Sequence, residues 1–122
     1  MSICQLIVVT VETTGVAGSA AGSTTTDLIH GELVDVYLDY GAAPATTDVT
    51  IAYAARGGNI LAIANSSTDA FVAPRQKLVD NANAAITNSH APFLLNDRLV
   101  ISVAQSDALA PALTVYLRVR IP

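Results

Sequence analysis

The chain carries two histidines, His30 and His90, and one cysteine, Cys4. His30 stands between two acids, Asp27 and Glu32, residue types that together can ligate zinc. Neither histidine has the other at metal-ligand spacing, so both are read as surface histidines beside turns. A single cysteine permits no internal disulfide and no multi-cysteine metal site. Cys4 lies in an apolar stretch and is expected to be a small buried hydrophobe. Asp35 and Asp39 are paired carboxylates of the type used in glycoside hydrolysis. Four residues along one strand face separates them by about 13 Å at ~3.3 Å per residue, too far for a dyad. They are expected to keep an exposed face wet. No G-x-S-x-G nucleophile motif occurs. Arg56-Gly57-Gly58 opens no helix and so makes no phosphate cradle. The expectation is a chain that is not an enzyme and has no metal and no cofactor.

A second group of residues suits contact rather than catalysis. Tyr116, Arg118 and Arg120 alternate along the last apolar segment and form a short cationic and aromatic stripe on its outer side. Such a stripe either pairs with acids on a neighbouring strand or meets an acidic protein surface. Arg75 and Lys77 follow Pro74, a residue without a ladder donor that belongs at a sheet edge or strand end. Arg75, Lys77, Tyr116, Arg118 and Arg120 are the candidate protein-interface residues.

These residues sit in a chain of 122 residues, 52% hydrophobic and 13% charged. A typical soluble domain carries about 25% charged residues. The length suits one domain over residues 1–122, with the first thirty read as an N-terminal arm plus loop. Low charge and many β-branched residues argue against disorder. No apolar run approaches the ~20 residues of a membrane-spanning helix. The net charge is −4 with only six Lys and Arg residues. A broad basic face for nucleic acid is therefore out of reach. The first residues lack a basic region and a cleavage site, so no signal peptide is expected and synthesis is placed in a reducing cytoplasm.

Period-two alternation runs through the sequence. Residues 5–11 are apolar on both faces, which predicts a central or covered strand. Residues 15–26 are small and flexible and read as a loop leading into a short strand. In residues 31–40, Val34, Val36, Leu38 and Tyr40 are expected inward, with Leu33, Asp35, Tyr37 and Asp39 outward. In residues 48–55, Val49, Ile51 and Tyr53 are expected inward. Arg56-Gly57-Gly58-Asn59 then reverses the chain into residues 60–65, since a glycine pair supplies the positive φ that hairpin turns require. Phe71 and Val72 begin an edge strand that Lys77, Leu78 and Val79 are expected to continue. A short strand is expected at 84–87, and residues 92–97 read as a connection. Leu99, Ile101 and Val103 share one face of the next strand. Leu113, Val115, Leu117, Val119 and Ile121 form the inner face of the last. About eight strands at roughly ten-residue spacing, with no helix, predict an all-β, antiparallel, jelly-roll-like sandwich. Only Lys77 is available to guard a sheet edge. Alanines 42, 43, 45, 52, 54, 62 and 64 are expected at the surface, where they would call for a partner. A homo-oligomer or a larger assembly would cover them.

Three stretches carry a family resemblance. VYLDYGAAPATTDVTIAY, FVAPRQKLVDNANAAI and NDRLVISVAQSDALAPALTVYLRVRI resemble small tailed-bacteriophage virion proteins, the capsid cement or decoration proteins. The resemblance covers roughly residues 31–121. It implies a β-rich homotrimer on the outer surface of the phage head, bridging neighbouring major capsid protein subunits. It brings no catalytic residue and no small-molecule substrate, and implies neither nucleic acid nor membrane as partner. The alternative is a receptor- or carbohydrate-binding fibre or tail module of a virion, which would carry exposed aromatics or acids in a pocket.

Overall fold

The structure, a computed structural model, describes residues 3–121. Among them there are eleven strands and no helix. They are β1 (Ile3–Val11), β2 (Ala20–Thr25), β3 (Ile29–Asp39), β4 (Asp48–Tyr53), β5 (Asn59–Ile63) and β6 (Ala70–Val72). The rest are β7 (Arg75–Val79), β8 (Ala85–Pro92), β9 (Leu94–Asp97), β10 (Leu99–Ser106) and β11 (Leu113–Ile121). All pairings are antiparallel. One sheet runs β1-β11-β3-β6, with β9 also on β3; a second runs β2-β10-β4-β5; β7 and β8 form a separate ladder.

Alternation places the core as expected along most strands. Val49, Ile51 and Tyr53 of β4, Leu99, Ile101 and Val103 of β10, and Leu113, Val115, Leu117 and Val119 of β11 are all buried. They join Val36, Leu38 and Tyr40 in one hydrophobic cluster fed by both larger sheets. β-Branched and leucine side chains at every second position suit a pleated face buried on one side. The β4–β5 reversal forms where the glycine pair predicts it, with φ of 78° at Gly57 and 96° at Gly58.

The departures have local causes. On β3, Leu33 is fully buried and Val34 only partly so. The ladder to β11 slips between Arg118 and Val119, so that Asp35 and Leu33 face consecutive partners and Val34 is left over. This β-bulge resets the alternation, which sequence parity alone assigned the other way round. The Arg75 guanidinium donates to the Val34 carbonyl at 3.1 Å, which satisfies a group taken out of the ladder.

The segment from Lys77 does not extend β6; it turns away and pairs with β8 as a projecting hairpin. β8 is longer than the expected 84–87, and β9 forms where a connection was expected. The histidines lie on strands, His30 on β3 and His90 on β8, and both are exposed. Ala43 is buried rather than at the surface. β1 is neither central nor covered on both faces: it is a sheet edge, and Cys4 on it is exposed rather than buried.

Candidate interaction face

The registers of the larger sheet set its outer face in cross-strand rows. Val8 faces Tyr116, Tyr116 faces Tyr37, and Tyr37 faces Phe71. One step along, Leu6 faces Arg118, which faces Asp35; further on, Cys4 faces Arg120, which faces Glu32. On the other side, Thr10 and Thr114 run to Asp39. The central row is therefore apolar and aromatic across four strands, with ion pairs on one side and a threonine and aspartate row on the other.

The rings are packed rather than scattered. Tyr37 and Phe71 stack with centroids 4.6 Å apart, and Tyr116 lies 5.9 Å from Tyr37. Offset aromatic packing of this kind adds about 0.5–1.5 kcal/mol per pair beyond area burial. Phe71 remains 76% exposed, Leu6 57% and Val8 52%. The side chains of Asp35, Tyr37, Asp39, Phe71, Tyr116 and Arg118, with Leu6, line an open concavity of about 540 Å³. Burial by its neighbours, and after it the negative charges of Asp69 and Asp39, raise the Tyr37 hydroxyl above its ordinary value of 10.0. It stays protonated, and available as a donor, at neutral pH.

Arg118 grips Asp35 with both arms of its guanidinium, one of them Nε to Oδ1 at 2.8 Å. Arg120 meets Glu32 at 3.5 Å. The bond from Arg118 holds the Asp35 carboxyl below its ordinary value of 3.8 despite partial burial, with help from the charges of Arg118 and Arg75. Arg118→Ala is expected to leave the midpoint of urea denaturation almost unchanged, because the guanidinium is mostly solvated. The same variant should move the Asp35 titration midpoint upward, which carboxyl-detected NMR would read directly.

The five candidate interface residues divide. Tyr116, Arg118 and Arg120 line up on the outer face, and Arg75 reaches the same bulge from β7. Lys77 does not join them; it lies opposite His90 on the projecting ladder. Both arginines of the stripe pair with acids of β3, which leaves the aromatic row as the unengaged feature. Tyr37, Phe71, Leu6 and Val8 were missed as a group. Parity put Tyr37 outward, but only the register brings β6 and β1 to either side of it.

The acids beside His30 are drawn elsewhere, Asp27 toward Arg98 at 3.9 Å and Glu32 toward Arg120. Among the described residues, no three His, Cys, Asp or Glu side chains gather as a metal-ligating group. No protein family matches the chain, and neither does any curated protein or solved structure.

Proposed function

We propose that this chain is a capsid cement protein, a non-catalytic domain that binds the outer surface of a bacteriophage head as a homo-oligomer and ties major capsid subunits together. In this reading the fold is a jelly-roll sandwich. Its support is the nesting of pairs: β4 with β5, β3 with β6, β2 with β10 and β1 with β11, one long hairpin rolled on itself. Jelly rolls serve both viral shells and lectins, so the fold alone does not choose a function and the surface must.

The observation that carries the reading is the uncovered row Val8, Tyr116, Tyr37 and Phe71 on the larger sheet. An exposed aromatic cluster with an arginine row beside it has the residue types of a protein-binding hot spot. The projecting β7–β8 hairpin adds Leu78, Val79 and Ile86, all exposed. Such a protein works by mass action. Binding an assembled shell and not its separated subunits stabilises the shell by the binding free energy. Repeated copies gain effective concentration for each further contact.

A second reading is favoured by the same concavity. Aromatic faces beside Asp35 and Asp39 also suit a saccharide, whose C–H face stacks on rings while carboxylates accept from its hydroxyls. One experiment separates the two. Stripped heads of the phage that encodes the chain are sedimented with the protein, and the protein is screened on a glycan array. The cement reading expects co-sedimentation that Tyr37→Ala with Phe71→Ala weakens at least tenfold, and no glycan signal. Glycan binding lost in that double variant, without co-sedimentation, transfers the site to the second reading.

A further inference from the structure

We propose that the open edge of β1 pairs with β1 of a second copy, antiparallel and about a two-fold axis through Leu6. This builds on the self-association expected above but not on coat docking, and it goes beyond that expectation by naming the surface, the register and the symmetry.

β1 has none of the devices that usually guard an edge. ICQLIVVTV holds no charge, no proline and no glycine. Its ladder with β11 runs without a break from Ile3 to Val11, so no bulge twists it away. Natural edge strands without lysine, proline or bulges are templates for another strand.

The backbone states which residues are free. The Thr10 carbonyl turns away from β11 and accepts from the Thr24 hydroxyl at 2.7 Å. The Val11 carbonyl points the opposite way and accepts from the Ala112 N–H at 2.8 Å. Direction alternates along a strand, so Cys4, Leu6 and Val8 present both N–H and C=O to the open side. β2 closes the far end through the Thr14–Ala21 bridge and the Thr24 hydroxyl. From there the two edges diverge around a groove of about 470 Å³ lined by Gln5, Ile7, Val9, Thr25 and Asp27. The free stretch is thus centred on Leu6.

Self-pairing fits that stretch. A two-fold through Leu6 sets Leu6 beside Leu6 and Cys4 beside Val8 of the second copy. Each of these facing pairs can exchange both backbone bonds. On the outer face the exposed Leu6 and Val8 side chains are brought together. On the inner face Ile7 comes beside Gln5 over the groove, and Ile3, 59% exposed in the single chain, comes beside Val9. Charge does not oppose the approach, because Arg118 and Arg120, one strand back, are already matched by Asp35 and Glu32. A charged or irregular partner strand would find no complement on β1, whereas an identical strand does. A two-fold contact closes on itself, so the free protein is a dimer rather than the trimer implied by the family resemblance.

The test is sedimentation equilibrium of the full chain with a cross-linking readout. The wild-type protein should have twice the 12.6 kDa chain mass, and Leu6→Lys should sediment as a monomer with unchanged circular dichroism. Val8→Cys puts a thiol opposite Cys4 of the other copy, at the Cα spacing of about 5.5 Å that a disulfide accepts. Mild oxidation should then give a covalent dimer, and Thr10→Cys should not. A monomeric wild type, a trimer, a mass that Leu6→Lys leaves unchanged, or a folded Val8→Cys protein that fails to cross-link overturns the proposal. Coat docking is read separately, by co-sedimentation of the Tyr37→Ala, Phe71→Ala protein, whose mass in solution should stay that of the dimer; Leu6 and Val8 border the same outer face, so their variants test self-pairing through mass and cross-linking alone.

Discussion

Gly31→Ala should destabilise the fold by about 4 kcal/mol or more, a range reserved for backbone strain and hard overlap in an otherwise intact core. Gly31 has φ of 135°, a conformation that an alanine side chain opposes. A methyl group built there lands on the Arg120 carbonyl oxygen and crowds the Val119 side chain. Both contacts belong to β11, the strand at the centre of the larger sheet, so relief requires β3 and β11 to part. They would part beside the Val34 bulge, where the ladder is already irregular. In a domain with about 5–15 kcal/mol of total stability, the variant should melt about 15 °C lower or fail to accumulate as folded protein. Differential scanning calorimetry checks this. A Tm within a few degrees of wild type would mean that β3 runs differently past Arg120.

Asp97→Ala should give the second largest loss, and one that depends on pH. Asp97 is only 8% exposed. Its carboxylate accepts the backbone N–H groups of Arg56 at 3.0 Å, Ala55 at 3.1 Å and Arg98 at 2.7 Å. It thereby pins the β4–β5 turn to the start of β10. The Arg56 N–H is the largest influence holding its pKa below the ordinary 3.8; burial opposes it, and the Arg98 and Ala55 N–H groups and the Arg56 charge add to it. A carboxyl depressed in the folded state stabilises fully above its unfolded value and loses that contribution as pH falls through the folded value. The alanine variant should therefore melt on the order of 10 °C lower at pH 7, and the gap from wild type should narrow as pH falls below 3.8. A gap that widens in acid would contradict the assignment. Asp97→Asn, which keeps one acceptor oxygen, should fall between the two.

Much of this architecture is legible in the residues. Leu99, Ile101 and Val103, and the longer series from Leu113 to Val119, alternate so cleanly that strand, face and burial follow from period two alone. Gly57 and Gly58 fix the innermost reversal. What parity misses is set by partners distant in sequence. The bulge at Val34 comes from the ladder with β11 and flips Leu33 into the core. Cys4 reads as buried because its neighbours are apolar, yet its register opposite Arg120 puts it on the outer, uncovered face of an edge strand. β9 is invisible because Leu95 and Asp97 take their places from Gly31 and Ile29 across the ladder. The candidate face is half legible. Tyr116, Arg118 and Arg120 share an outward parity, and acids on a neighbouring strand were an expected match for the arginines. The stack of Tyr37 on Phe71 exists only once β6 lies against β3.

The β1–β11 ladder also dictates an order of events at the ribosome. Ile3 lies opposite Ile121 and Val11 opposite Leu113, so β1, made about a hundred residues before β11, waits for it. Until β11 is made its nine residues remain an unmatched, chargeless ribbon, the kind of segment that draws nascent chains into aggregates. Yield in a cell should therefore depend on holdase chaperones more than the stability of the finished protein would suggest.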